Sequence, residues 1–143
     1  MIKETIKRGD IFLVDLNPIV GSEQGGKRPV LVMQNDVGNL HSPTIVVAII
    51  SSKVEKGRLP THVFVQRGVL PLDSLICTEQ IRTIDKTRLR ERLGHLDEAM
   101  MQAVNNAISV SFGLTPEPPM TIANPTQTMP NEAVAKFTPN TSI

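Results

Sequence analysis

Over its first 84 residues the chain alternates between short apolar runs and polar breaks marked by glycine or proline. The runs have the length and side-chain types of β-strands. Residues 11–16 (IFLVDL) form the first and residues 29–34 (PVLVMQ) the second. Residues 44–51 (TIVVAIIS) are apolar and β-branched almost without interruption, which predicts a strand covered on both faces. Residues 61–66 (THVFVQ) and 75–84 (LICTEQIRTI) complete a set of five. Beyond Ile84 the period changes. Asp85 is placed to cap a helix over residues 86–93 and Gly94 to end it, and Asp97 is placed to cap a second helix reaching about Phe112. Met100, Ala103, Val104, Ala107, Ile108 and Ser111 fall on one stripe of that second helix. Several short strands followed by a terminal helix predict a mainly β fold with helices, a small and strongly curved β-barrel with a C-terminal helix packed on it.

The pattern stops at Leu114. Residues 115–143 hold six of the eleven prolines and only three charged residues, Glu117, Glu132 and Lys136. Such a stretch buries too little surface to offset the entropy of ordering, so it reads as a Pro-rich flexible tail on a domain of residues 1–114, with a short helix around residues 131–137 as the alternative. At 143 residues and 40% hydrophobic, the chain suits one globular domain. No apolar run approaches the ~18 residues that span a bilayer, so no membrane partner is expected. A single cysteine, Cys77, excludes a disulfide framework and a multi-cysteine zinc site and fits a reducing cytoplasm. The net charge of +1 gives no global field that attracts nucleic acid, and four Phe with no Tyr or Trp argue against binding single strands on aromatic platforms.

The most informative segment is Val20-Gly21-Ser22-Glu23-Gln24-Gly25-Gly26-Lys27-Arg28-Pro29, a glycine-rich polar loop between two apolar strands. Its glycines allow close backbone approach to a ligand, and Lys27 and Arg28 bring positive charge to its end. Pro29 biases Arg28 to an extended conformation at the start of a strand, from which a planar guanidinium can be aimed at two phosphate oxygens. The plainer alternative is a hairpin loop with solvated charges. A Walker loop is excluded because Arg28 stands where that loop needs Ser or Thr. Ser51 and Ser52 end the third strand, where a hydroxyl can meet a phosphate or simply terminate the strand. His41, His62 and His95 have no metal-ligand spacing, so no metal is expected. Glu79 and Gln80 interrupt an apolar strand and suit either an outward face or a lined groove. Asn35-Asp36 reads first as turn chemistry and second as a ligand contact. Arg82, Arg88, Arg90 and Arg92 read as a solvated face, and Cys77 as a small buried hydrophobe.

Read together, Arg8-Gly9-Asp10-Ile11, Asp15-Leu16-Asn17-Pro18, the run from Gly21 through Arg28 to Val32, Gln34-Asn35-Asp36 and the run Glu79-Gln80-Ile81-Arg82-Thr83-Ile84-Asp85 resemble the MazF/PemK family of toxins from toxin–antitoxin modules. The likeness extends from about Lys7 to Leu114 and is strongest to the Gram-positive branch. It implies an SH3-like barrel of the CcdB/MazF type, a cytoplasmic homodimer, and a metal-independent, sequence-specific endoribonuclease that cuts single-stranded RNA without a cofactor. A cognate antitoxin is the implied second partner. By position, Arg28 falls on the family's catalytic arginine and Ser51 where many members carry a threonine, with Ser52 the fallback if the register differs by one. Ser22, Glu23, Gln24 and Lys27 fall in the loop over bound RNA, and Asn35 and Glu79 near the groove. The competing implication is a non-catalytic toxin of the CcdB kind that poisons DNA gyrase, since fold alone does not separate the two.

Overall fold

A computed structural model describes residues 5–17, 26–54 and 59–115. The expected tail beyond Thr115, and the loop residues Ser22, Glu23 and Gln24, lie outside them. Among the described residues, six antiparallel strands and two α-helices follow one another as β1 (Asp10–Asp15), β2 (Lys27–Val32), α1 (Asp36–His41), β3 (Thr44–Ser51), β4 (His62–Val65), β5 (Ser74–Asp85), β6 (Leu89–His95) and α2 (Glu98–Ser111). The strands form one sheet in the order β4-β5-β3-β2-β1-β6.

Both faces of this sheet are dry, as the unbroken apolar character of β3 predicts. Alternate residues serve opposite faces. Phe12, Val14, Val30, Val32, Val47 and Ile49 join one buried cluster with Ile84 and Leu89. Ile11, Leu31, Ala48, Ile50 and Ile76 join the other, which Val104 and Ala107 of α2 close. Asp97 caps α2 as expected, its side chain accepting from the Met100 amide, and the helix ends at Phe112.

Among the described residues no helix contributes to the first cluster, and the sheet itself encloses it. β5 and β6 stand four strand spacings apart in the sheet order, which is about 19 Å in a flat sheet. They are joined only by a 3₁₀ turn over Lys86–Arg88. At a rise of about 2 Å per residue, that link covers well under half the distance. The sheet must therefore curl until the two strand ends meet, which gives the barrel-like curvature, although β4 and β6 remain its edges.

Residues 86–93 are not the helix that the spacing predicts. Asp85 does cap, accepting from the Thr87 amide at 2.9 Å, but the turn stops after three residues. Leu89–His95 then pairs antiparallel with β1. Helix propensity is worth only tenths of a kcal/mol per residue, whereas β1 would otherwise leave a row of backbone donors and acceptors unpaired. α1 was not anticipated beyond a turn at Asn35-Asp36. It is six residues long, too short to show a period, and its signal is the cap itself: Asn35 Oδ1 accepts from the Gly38 amide at 2.8 Å. Arg88 does not lie on a solvated face either, whereas Arg92 is exposed as expected but also reaches a buried partner. Arg92 Nη2 donates to Asp10 at 3.0 Å, and Arg88 bonds backbone carbonyls near the first hairpin.

Gly9 turns the chain into β1 at φ +97°, a region costly for any side chain. Asp10 follows, fully buried, and holds β1 to β6. Its carboxylate accepts from the Lys7 amide at 2.9 Å and from Arg92 at 3.0 Å, and lies 2.7 Å from His95 Nδ1. Asp10→Ala removes all three contacts and should lower unfolding free energy by about 2–4 kcal/mol. Urea denaturation should show this as a lower midpoint at unchanged slope; an unchanged midpoint would remove Asp10 from the account of how β6 is held.

Candidate functional site

The first hairpin aims a guanidinium. β1 and β2 pair in register from Ile11↔Leu31 to Asp15↔Lys27, and Leu16 N–H continues the ladder to the Gly26 carbonyl at 2.9 Å. Asn17 Oδ1 accepts from the Gly26 amide at 3.0 Å, and Arg88 Nη1 donates to the carbonyls of Asp15 and Asn17 at 3.0 and 2.7 Å. The two ends of the glycine-rich loop are thus pinned side by side, and Gly26 takes φ +76° where the chain re-enters the strand. Arg28, two residues on, is half-buried at the beginning of β2. Arg88 is the part of this arrangement that the sequence does not signal, because a carbonyl-binding arginine has no local pattern.

An open cavity of ≈ 500 Å³ lies at this end of the sheet. Lys27, Arg28 and Ser52 are among its polar lining, and Leu13, Ile50 and Leu70 among its apolar lining. Such a surface offers positive charge beside a greasy floor, which suits a phosphate attached to a flat base.

The two serines divide. β2 pairs with β3 through Val30↔Ile49. The same register carried two residues further sets Arg28 opposite Ser51, on one face of the sheet. Ser51 is buried, and its Oγ accepts from the Lys53 amide at 3.2 Å, which leaves the hydroxyl proton to donate. Ser52 is exposed and lines the cavity. Two hydroxyls therefore end β3, Ser51 across from Arg28 on the same face of the sheet and Ser52 on the opposite face, open to the cavity.

The remaining expected site residues are not gathered here. Asn35 lies seven residues along the chain from Arg28, about 20 Å at strand rise, with its side chain committed to capping α1. Glu79 is two strand spacings away, in a bulge of β5: Ala48 pairs with Ile81 and Ile49 with Cys77, so three residues of β5 have no partner on β3. Glu79 accepts from Thr61 Oγ1 at 2.8 Å and contacts His62 Nε2 at 2.8 Å. His62 Nδ1 accepts from the Leu59 amide at 3.2 Å, so the ring proton sits on Nε2, directed at Glu79. Both ring nitrogens of His62 are thus engaged in hydrogen bonds. Among the described residues, one set of His, Cys and carboxylate side chains brings its donor atoms within 4.8 Å of one another, namely His62, Cys77 and Glu79. No helix among the described residues is long and apolar enough to cross a membrane.

Comparison with known proteins gives a consistent result. A family model described as PemK-like, MazF-like toxin of type II toxin–antitoxin systems matches residues 7–112. Endoribonuclease MazF of Staphylococcus saprophyticus is 51% identical over 111 residues, covering 76% of this chain and 92% of that one. Endoribonuclease EndoA of Bacillus subtilis is 53% identical over 111 residues, covering 76% and 96%. Among solved structures, a mycobacterial endoribonuclease in complex with its cognate antitoxin superposes with a TM-score of 0.66 at 26% identity, covering 79% of this chain and 99% of that one. MazF from Deinococcus radiodurans gives 0.67 at 20% identity, covering 78% and 99%, a likeness of fold.

Glu79 yields a pH prediction. Partial burial works against its ionisation, but the hydrogen bonds from His62 and from the Thr61 hydroxyl outweigh that and hold its pKa below the ordinary 4.5. A carboxylate lowered on folding contributes stability that is fully present above 4.5 and is lost as pH falls through the folded-state value. Glu79→Gln should therefore lose stability relative to the parent above 4.5, and the gap should narrow in acid. Urea midpoints measured against pH for both proteins check this; a gap that stays constant into acid would mean the carboxylate charge plays no part.

Proposed function

The chain belongs to the PemK-like, MazF-like toxin family, and we propose that it is the toxin of a toxin–antitoxin pair, a sequence-specific endoribonuclease that cuts single-stranded RNA without a metal. The activity is supported by relatives above 50% identity that carry the name endoribonuclease. The observation that carries the mechanism is Arg28 at a pinned strand end, lining an open cavity, with two hydroxyls at the neighbouring strand end.

RNA brings its own nucleophile. The ribose 2′-hydroxyl attacks the adjacent phosphorus, the P–O5′ bond breaks, and the products are a 2′,3′-cyclic phosphate, which water can open to a 3′-phosphate, and a 5′-hydroxyl. The protein has to align that attack and stabilise charge on the phosphoryl oxygens. Arg28 binds the scissile phosphate and neutralises the developing charge. Ser51 donates its proton to a phosphoryl oxygen or orients the 2′-hydroxyl. A guanidinium with a pKa above ~12 is badly matched to proton transfer at neutral pH, so its role is electrostatic. His62 and Glu79 are committed to each other and lie strands away, which leaves water to take the proton.

The loop residues Ser22, Glu23 and Gln24, with Lys27 at the start of β2, read base edges next to the cut, and Glu79 reads a base farther along. Asn35 is the weakest member of that set, because its carbonyl oxygen already caps α1. An antitoxin segment that is acidic and studded with apolar residues suits the same cavity, its carboxylates meeting Lys27 and Arg28 and its apolar side chains the leucine floor. The protein acts as a homodimer in the cytoplasm; Val37 and Leu40 of α1, 72% and 68% exposed, and Phe112 at 58%, offer apolar surface for a second copy.

A fluorogenic single-stranded RNA incubated with EDTA tests the reading. The parent should cut it, and Arg28→Ala should lose ~10²–10³ in rate. Ser51→Ala should lose a comparable factor and Ser52→Ala little; the reverse order would move the hydroxyl role to Ser52. Undiminished cutting by Arg28→Ala overturns the mechanism. Gyrase arrest by the parent without RNA cutting overturns the nuclease itself.

A further inference from the structure

We propose that His62, Cys77 and Glu79 form a binding site for one zinc-class divalent ion that clasps β4 to β5, separate from the RNA-cutting centre at Arg28. The three residues are brought together by pairing and by the bulge. His62 and Cys77 are directly opposed partners across the β4–β5 ladder, so their Cβ atoms project from one face about 5 Å apart. Glu79 lies two residues beyond Cys77, inside the bulge, and the bend returns its carboxylate to His62 at 2.8 Å.

The bulge is held rigidly in this shape. Thr78 N–H and Oγ1 both donate to the Thr61 carbonyl, at 3.0 and 2.6 Å, and Ser111 of α2 donates to the Thr78 carbonyl at 2.9 Å. The ligand frame is therefore fastened from the residue preceding β4 on one side and from the terminal helix on the other.

A tetrahedral ion requires the frame to adjust: His62 Nε2 and Glu79 Oε2, now 2.8 Å apart, must part by about half an ångström, and any longer separation must close. With bonds of about 2.0 Å to nitrogen and oxygen and 2.3 Å to sulfur, the edges of the tetrahedron are about 3.3–3.6 Å. The three donor atoms already lie within 4.8 Å of one another. Access comes from the Glu79 side, whose side chain is 33% exposed, while His62 is 11% exposed and Cys77 lies beneath. The fourth position faces the solvent and takes water.

The donor set selects the ion. A thiolate and an imidazole favour zinc and its relatives over magnesium or calcium, which prefer oxygen. The charges also balance, since one thiolate and one carboxylate cancel a dication in a half-buried place. Cys77 in the free protein is a thiol, its pKa pushed up to about 12 by burial and the nearby Glu79 charge, so the ion must displace its proton. The ion takes the place of the hydrogen that His62 now directs at Glu79; that hydrogen moves to Nδ1, and the exposed Leu59 amide gives up its 3.2 Å bond to the ring. One proton, from the thiol, is released for each ion bound.

Cys77 is the chain's single cysteine, which makes the test specific. The full-length protein is titrated with Co²⁺ under reducing conditions and followed by the thiolate-to-cobalt charge-transfer absorbance. The band should saturate at one ion per chain, release one proton per ion in weakly buffered solution, disappear with EDTA and be displaced by Zn²⁺ but not by Mg²⁺. His62→Gln and Glu79→Gln should each weaken Co²⁺ binding by at least about tenfold, and Cys77→Ala should abolish the band. Zn²⁺ should raise the parent's melting temperature and leave that of Cys77→Ala unchanged. Absence of the band in the parent overturns the site, as does a band of full affinity in both His62→Gln and Glu79→Gln. The readout is independent of RNA, so failure of the ion site and failure of the nuclease reading are distinguishable.

Discussion

The structure depends on the shortness of one link. Three residues, Lys86–Arg88, connect strands that lie at separated positions in the sheet order. A flat sheet would pull that link apart, so the sheet curls, and the curl creates an enclosed apolar face to which no helix among the described residues contributes. Phe12, Val30, Val47, Ile49, Ile84 and Leu89 fill it from five different strands. The same turn carries Arg88, which reaches back to the carbonyls of Asp15 and Asn17. One short segment thus closes the sheet and fixes the base of the loop beside Arg28.

That coupling explains how a nearly neutral chain can address a polyanion. Net charge is +1, and a diffuse field of that size concentrates little. What the fold supplies instead is local: Lys27 and Arg28 begin a strand whose later residues are fully buried, at the rim of a cavity with an apolar floor. A guanidinium anchored on a buried strand loses little further freedom when a phosphate arrives, so more of its interaction reaches the reacting centre. Rigidity of the strand, rather than number of charges, is what the cavity contributes.

Much of this was legible in the sequence, and the exceptions have physical causes. β3 was read at its observed bounds because a strand dry on both faces writes itself as an unbroken apolar run. α2 was read because a fourteen-residue amphipathic helix with a capping Asp shows its period. β6 was misread as helix because Leu89–His95 has few apolar residues to alternate; an edge strand held by β1 and by the Asp10–Arg92 contact takes its conformation from its partner. Within the candidate site, the sequence singled out Arg28 and the serines because both ends of their strands are marked, by Pro29 and by the break after Ile50. It left Arg88 among solvated charges, since a contact across more than seventy residues has no local spacing to reveal it. The grouping of His62, Cys77 and Glu79 was hidden for the same reason: fifteen residues separate the first two in sequence, and only the β4–β5 register makes them neighbours.

The position of that grouping also constrains the chemistry at Arg28. His62 and Glu79 are the residue types most often asked to move protons, and here they are occupied with each other, with Thr61 and with Leu59, two and three strands from the guanidinium. Drawing His62 into service as a base would mean breaking the Leu59 contact or shifting the ring proton, and in either case leaving a buried thiol and a carboxylate without their present neighbour. The fold thus separates its proton-transfer residues from its phosphate-binding residue. A phosphodiester whose nucleophile is already attached needs charge stabilisation and alignment more than it needs a strong base, because attack raises negative charge on the phosphoryl oxygens at once. A single fixed cation with the Ser51 hydroxyl across from it meets that demand, and the residues suited to proton transfer are free to serve the integrity of the β4–β5 edge instead.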